Sequence, residues 1–260
     1  MVVGRDHKKC LSTVEQIIHK TGNKSVEFLT ADLSSQNEIR SLRERFQNRY
    51  SRLDVLINNA GTIAWTRQLS SDGIEVTLAL NHLAYHLLTN LLVDILIKSA
   101  PSRVINVSSA AHSRAQIDFQ DLQNAKEYNG MKAYGRSKLA NLMFTYSLAR
   151  LLENTGVTVN ALHPGLVATN LPSNGKMPFK WAIAPFLRFA LAIAGKSTNK
   201  GSETLVYLSR SPELTNVTGK YFVDSTEVLS SDTSLDMESA NLLWNLSNKL
   251  TGLQSSDWLH

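Results

Sequence analysis

Short runs of Val, Ile and Leu recur along the chain, each followed by a stretch in which apolar residues return every three or four positions. The runs are Val26-Glu-Phe-Leu-Thr30, Leu53-Asp-Val-Leu-Ile57, Arg103-Val-Ile-Asn-Val107, Val157-Thr-Val-Asn-Ala-Leu162 and Gly219-Lys-Tyr-Phe-Val223. The longer stretches predict helices over Gln36 to Tyr50, Ile74 to Lys98, Lys132 to Glu153 and Leu235 to Leu250. Near-continuous apolar strands are those buried on both faces. Their alternation with helices predicts an α/β fold, a doubly wound and mostly parallel sheet with right-handed crossovers. No repeat or low-complexity linker interrupts the pattern, so residues 1–260 are expected to form one domain. In such a sheet ligands bind beyond the carboxyl ends of the strands.

Composition narrows the function classes. Of the 260 residues 43% are hydrophobic and 19% charged, which suits a buried core and excludes wholesale disorder. The lone cysteine, Cys10, excludes a disulfide scaffold and a Cys-cluster metal site, and no metal is expected. The net charge of +5 is dispersed among acids, so no nucleic-acid partner is expected. Met1-Val-Val-Gly-Arg-Asp is no signal peptide, and Met177 to Gly195 carries Lys180, Pro185 and Arg188, too many interruptions for a spanning helix. The expectation is a cytoplasmic protein, with peripheral membrane contact through Lys176, Lys180 and Arg188 as one use of that stretch. Asn106-Val-Ser matches the glycosylation pattern by chance, since Asn106 falls in a predicted buried strand.

Candidate chemistry gathers at the strand ends. Tyr134-Gly-Arg-Ser-Lys138 puts a phenol and an amine on one helix face, four residues apart. A neighbouring ammonium favours phenolate, which makes the phenol a usable acid/base near neutrality. Asn58-Asn59-Ala60-Gly61 closes one strand with small residues that admit a flat ligand. Ser109 closes the next, and His163-Pro164-Gly165 the one after, with Thr169 just beyond. Asn81 lies on the intervening helix.

With these residues in place the sequence resembles the short-chain dehydrogenase/reductase family over essentially its whole length. Arg103-Val-Ile-Asn-Val-Ser-Ser109, Ser137-Lys-Leu-Ala-Asn141 and Leu243-Trp-Asn-Leu-Ser-Asn-Lys-Leu-Thr-Gly252 are similar to the retinol dehydrogenase-like branch. The resemblance implies a Rossmann-like fold and a nicotinamide-dependent oxidoreductase acting on an apolar alcohol or carbonyl, such as a retinoid, steroid or lipid aldehyde. It implies Tyr134 as general acid/base, Ser109 as donor to the substrate oxygen, and Lys138 as the group that lowers the Tyr134 pKa and bonds the nicotinamide ribose. Asn81 would hold a water linking Lys138 to solvent. Asp32 and Leu33 would meet the adenine, Asn59, Ala60 and Gly61 the cofactor ribose, and Pro164, Gly165 and Thr169 the nicotinamide. Arg5, ending a strand, favours NADP over NAD because a guanidinium accommodates a 2′-phosphate. Residues 176–198 stand where the family places its substrate lid, and the helices over Ile74 to Lys98 and Lys132 to Glu153 resemble those with which it forms homodimers.

One part of the family pattern is missing. None of the 13 glycines forms a G-x-G pair, and Thr21-Gly22 and Thr251-Gly252 lie in the wrong places for the glycine-rich pyrophosphate loop. By alignment of roles Met1 falls inside the second strand, so the first βα unit is expected to be absent. The chain then reads as an incomplete copy of a longer protein, or as a truncated isoform or family-shaped binding protein without cofactor or catalysis. In the 3-2-1-4-5-6 order the absent strand is central, so two neighbours would lose their partner.

Overall fold

The computed structural model describes residues 1–165, 173–174 and 198–254. Its main sheet has five strands in the order β3 (Val55–Asn58), β5 (Ser102–Val107), β6 (Val157–His163), β8 (Tyr221–Val223) and β9 (Thr226–Val228). The first four run parallel and β9 returns antiparallel. The hairpin turns at Asp224 and Ser225, both at positive φ, the twist that two-residue hairpin loops favour. The apolar pattern does not reveal β9, because its three residues are all exposed.

A second, two-stranded sheet pairs β1 (Val2–Gly4) with β2 (Phe28–Thr30) in parallel through α1 (His7–Thr21). β4 (Ile63–Ala64) and β7 (Ser173–Asn174) form a small third pair. Apolar packing joins the first two sheets through Leu29, Ile39 and Leu42 on one side and Leu87, Leu88 and Ile95 on the other. Ile39 and Leu42 belong to α2 (Gln36–Gln47). Between the sheets, however, the free edges of β1 and β3 face one cleft of about 570 Å³, lined by Val3, Phe46, Val55, Ile57 and Asn59 among others. Among the described residues no strand bridges it.

The main sheet is covered on both faces. Val104 and Val159 pack with Leu96 and Leu148 on one side, while Ile105 and Leu162 meet Leu208 and Phe222 on the other. Leu148 belongs to α6 (Gly130–Leu151), the longest helix among the described residues, whose Asn129 cap accepts hydrogen bonds from the Met131 and Lys132 amides. Such capping satisfies N–H groups that have no intrahelical partner.

Two predicted helices are divided. The stretch 74–98 resolves into α3 (Val76–Leu78), a π-turn at Ala79–Leu83, α4 (Ala84–Leu91) and α5 (Val93–Lys98). The π-turn carries Asn81 and His82, whose buried side chains bond other elements, and such insertions favour functional positions. The last predicted helix divides at Asp236, which ends α8 (Asp232–Leu235) and caps α9 (Met237–Thr251). α7 (Thr198–Arg210) follows the expected lid, of which residues 176–197 lie outside the described residues.

Candidate active site

The carboxyl ends of β3, β5 and β6 open toward the N-terminal turns of α6. β5 runs straight into Ser108 and Ser109; the Ser108 hydroxyl donates to the Lys138 carbonyl at 2.9 Å, fastening the strand end to the helix. After Ser109 the chain turns into a short 3₁₀ segment, Ala110–Arg114. Two glycines let α6 approach closely. A Cβ at Gly130 would stand 2.2 Å from the Ala64 carbonyl oxygen, and one at Gly135 would stand 3.0 Å from that of Ala111. Gly135 thus seats Tyr134 against the turn that follows Ser109.

The Ser109 hydroxyl stands near enough to the Tyr134 phenol to lower its pKa. Lys138, one helical turn on, is buried; its Nζ donates to the Val107 carbonyl at 2.9 Å and lies 5.7 Å from the centre of the Tyr134 ring. Residues 109, 134 and 138 therefore share one site. A Cβ on Gly61 would touch both Asn81 Oδ1, at 3.4 Å, and Lys138 Nζ, at 3.6 Å, so the Asn59-Ala60-Gly61 turn passes over the same place.

Electrostatics depart from the expectation for the pair. Burial pushes the Tyr134 phenol up, against the lowering influence of the Ser109 hydroxyl. Burial also brings Lys138 down to about 7. Desolvation disfavours either group's charged form, so the amine is a weaker cation here than an exposed lysine. Burial therefore opposes the lowering of the phenol expected from Lys138.

Asn81 also differs. Its Nδ2 donates to the Thr62 carbonyl and to Ser137 Oγ, each at 3.0 Å, and its Oδ1 accepts from the Thr62 amide at 2.8 Å. The amide is fully buried and bonded to three protein groups. It ties the Gly61 turn to α6.

The expected cofactor residues divide into two groups. Leu33, Asn59 and Ala60 line the cleft between the sheets. Arg5 and Asp32 stand beyond the carboxyl ends of β1 and β2, which are held in register by the Ala31 amide donating to the Gly4 carbonyl. Asp32 Oδ1 accepts from the Ser34 amide and hydroxyl. Pro164 and Gly165 follow β6, with Gly165 in the left-handed region and its amide donating to His163 Nδ1. Thr169 lies outside the described residues. The nicotinamide end therefore fits the residues present: a glycine turn without a side chain, beside a buried amine and a serine–tyrosine pair. The pyrophosphate end does not, since the 260 residues contain no G-x-G pair to offer a glycine-rich cradle.

Beneath the site lie polar contacts that the sequence does not reveal. Tyr85 donates to the Ala60 carbonyl at 2.9 Å, and its ring lies 5.6 Å from Lys138 Nζ. Asn58 and Asn106, opposite one another on β3 and β5, are joined side chain to side chain at 2.8 Å, and Asn106 continues to Thr145 of α6. The available signal was an asparagine at the same register of two apolar strands.

Residues 1–176 match the family model of the short chain dehydrogenases. Retinol dehydrogenase 12 of Mus musculus is 39% identical over 252 residues, which cover 96% of this chain and 77% of the relative. Retinol dehydrogenase 14 of Homo sapiens is 41% identical over 222 residues, covering 85% of this chain and 66% of the relative. An uncharacterized protein from Mycobacterium paratuberculosis, known as a crystal structure, superposes with a TM-score of 0.72 at 29% identity, covering 96% of this chain and 82% of that one. A short chain dehydrogenase from Burkholderia cenocepacia, solved in complex with NADP, shares the fold at 24% identity and a TM-score of 0.62, covering 85% of this chain and 83% of that one.

Proposed function

Because the chain belongs to the short-chain dehydrogenase/reductase family of NAD(P)-binding oxidoreductases, in its retinol dehydrogenase-like branch, we propose that it interconverts an apolar alcohol and its aldehyde or ketone with NADP(H). The observation that carries this reading is the juxtaposition of the Ser109 hydroxyl and the Tyr134 phenol beside the buried amine of Lys138. The nicotinamide supplies the hydride in reduction and takes it in oxidation. Ser109 and Tyr134 donate hydrogen bonds to the substrate oxygen, stabilising the negative charge that grows on it. In reduction the Tyr134 proton passes to that oxygen; in oxidation the phenol oxygen receives it back.

Burial raises Tyr134, so proton release from it needs a cation close by. Lys138, itself brought down to about 7, supplies that charge when protonated, while its hydrogen bond to the Val107 carbonyl keeps it in place. Asn81 positions the pair through Ser137, whose hydroxyl donates to the Tyr134 carbonyl at 2.8 Å. Lys138, Gly61, Asn59 and Ala60 would hold the nicotinamide ribose; Asp32, Leu33 and Arg5 the adenosine end; Pro164, Gly165 and Thr169 the carboxamide. Residues 176–198 would close over the substrate and supply its apolar walls.

A second reading, a family-shaped binding protein without catalysis, is favoured by the open cleft and the missing G-x-G pair. The two separate by experiment. The 260-residue chain and a form carrying an N-terminal strand–Thr-Gly-x-x-x-Gly-x-Gly–helix unit are melted with and without NADPH and assayed with an apolar aldehyde. Stabilisation and turnover in the extended form, lost in Tyr134→Phe, support the enzyme. An extended form that folds but neither binds NADPH nor turns over supports the binding protein.

A further inference from the structure

Two buried histidines take no part in the chemistry proposed above, yet each makes a bridge of defined direction. His112, in the 3₁₀ segment after Ser109, places Nδ1 2.7 Å from the Ser109 carbonyl oxygen. A carbonyl only accepts, so Nδ1 carries the hydrogen, and Nε2 is left as an acceptor. The Ser231 amide, 119 residues away in sequence, donates to that Nε2 at 3.3 Å. The ring also stands edge-on to Tyr221 at 5.2 Å, which fixes its plane.

The second bridge begins at the Val107 carbonyl, which accepts from Lys138 Nζ at 2.9 Å and from Asn141 Nδ2 at 3.5 Å. That contact orients the Asn141 amide and turns its Oδ1 to His82 Nδ1, 3.3 Å away. An amide oxygen accepts only, so His82 too carries its hydrogen on Nδ1. Its Nε2 therefore accepts from the Ser247 hydroxyl of α9 at 3.0 Å. His82, Asn141 and Ser247 are all within 1% of full burial, and burial holds His82 neutral, at about 3.

Resting on the catalytic reading above, we propose that His82 and His112 are positioning residues: two imidazoles in the Nδ1–H form that hook the C-terminal segment, at Ser247 and Ser231, onto Asn141, which shares the Val107 carbonyl with Lys138, and onto the Ser109 backbone. The two halves of the proton-handling pair are thus held from one side by the same late segment of the chain. The segment is a solid anchor. Leu243 and Ala240 of α9 pack on Leu139, Ala140 and Met143 of α6, and Trp244 stacks on Phe144 at 5.6 Å. A displacement of α9 would reach Lys138 through His82 and Asn141 without any contact to substrate.

The test begins with the full chain, labelled with nitrogen-15. Two-bond proton–nitrogen correlations of the histidine rings read each tautomer directly, with or without catalysis. Nδ1–H is expected for both His82 and His112, and an Nε2–H ring at either position overturns the bridge there. Two variants then remove the far ends alone. Ser247→Ala deletes one donor; Ser231→Pro deletes the other, at a residue whose φ of −66° already suits proline. In the active form, each is expected to lower kcat by roughly tenfold to a hundredfold with KM unchanged, as small misplacements of reacting groups do. Variants that keep wild-type kcat within about twofold, a change of under half a kcal/mol, overturn the positioning role. If Tyr134→Phe still turns over, the catalytic reading fails, whereas the tautomers judge the bridges independently.

Discussion

The two sides of the molecule are built from the same βα pattern but reach different states. In the main sheet, β5 and β6 have partners on both edges and Val104 and Val159 are 0% exposed. At the cleft, β1 and β3 each have one partner, and Val3 and Ile57 remain 37% and 40% exposed. All four strands have the apolar composition of a parallel sheet, whose strands are normally covered on both faces. Composition made each strand; neighbours made only two of them a core. The proton-handling residues lie on the closed side and hang from β5 and α6. The open side carries Leu33, Asn59 and Ala60, which belong to the proposed cofactor site.

The sharpest challenge to this contrast is acid, because the closed side holds two fully buried imidazoles. Burial lowers His82 to about 3 and His86 to about 4, from 6.5 for an unperturbed ring. Between those values the unfolded chain binds protons that the folded one refuses, so stability rises with pH. The contribution is fully present above pH 6.5 and is lost as pH falls toward 4 and 3. The slope reaches about 2.7 kcal/mol per pH unit where both rings contribute. Urea unfolding followed from pH 7 to pH 4.5 measures it, and a flat profile would contradict the buried neutral rings.

Next in size is the chemistry. Tyr134→Phe removes the proton carrier and is expected to cost on the order of 10²–10⁴ in kcat of the extended form. Its thermal midpoint should stay close to wild type. A matched pair of truncations then compares the two sides directly. Leu148→Ala, in the closed core, is expected to cost about 2–5 kcal/mol. Ile57→Ala, at the open edge, should cost less, about 1–2 kcal/mol, since two fifths of its surface stays in water. Equal losses in denaturant unfolding would mean that the cleft is closed in solution. The last effect has the opposite sign. Lys138 is held below its ordinary pKa by burial, so Lys138→Met should stabilise the folded chain near pH 6 by about 1–3 kcal/mol while removing turnover.

Much of this was legible before any coordinates. The strands ending at Asn58, Val107 and His163 are those of the apolar pattern to within a residue or two, and α6 begins two residues before its predicted start. Spacing alone placed Tyr134 over Lys138, because four residues is one turn whatever surrounds the helix. Gaps appear where long-range partners decide. The predicted helix over 74–98 carries an unbroken apolar pattern, yet it is interrupted by a π-turn where Asn81 reaches Ser137, 56 residues on. Asn106, Asn141, His82 and His112 each reach a side-chain or backbone partner 34 to 165 residues away.

By itself the sequence determined the alternation of the principal strands and helices, the side-chain types at three strand ends, and that these 260 residues carry no G-x-G pair. These depend on local periodicity and on identity, which the chain carries at every position. Only the tertiary structure decided the direction of the Tyr134 and Lys138 shifts, the tautomers of His82 and His112, and the division into a closed side and an open one. Each depends on which distant segment covers a group and so removes its water. Residue spacing does not encode that.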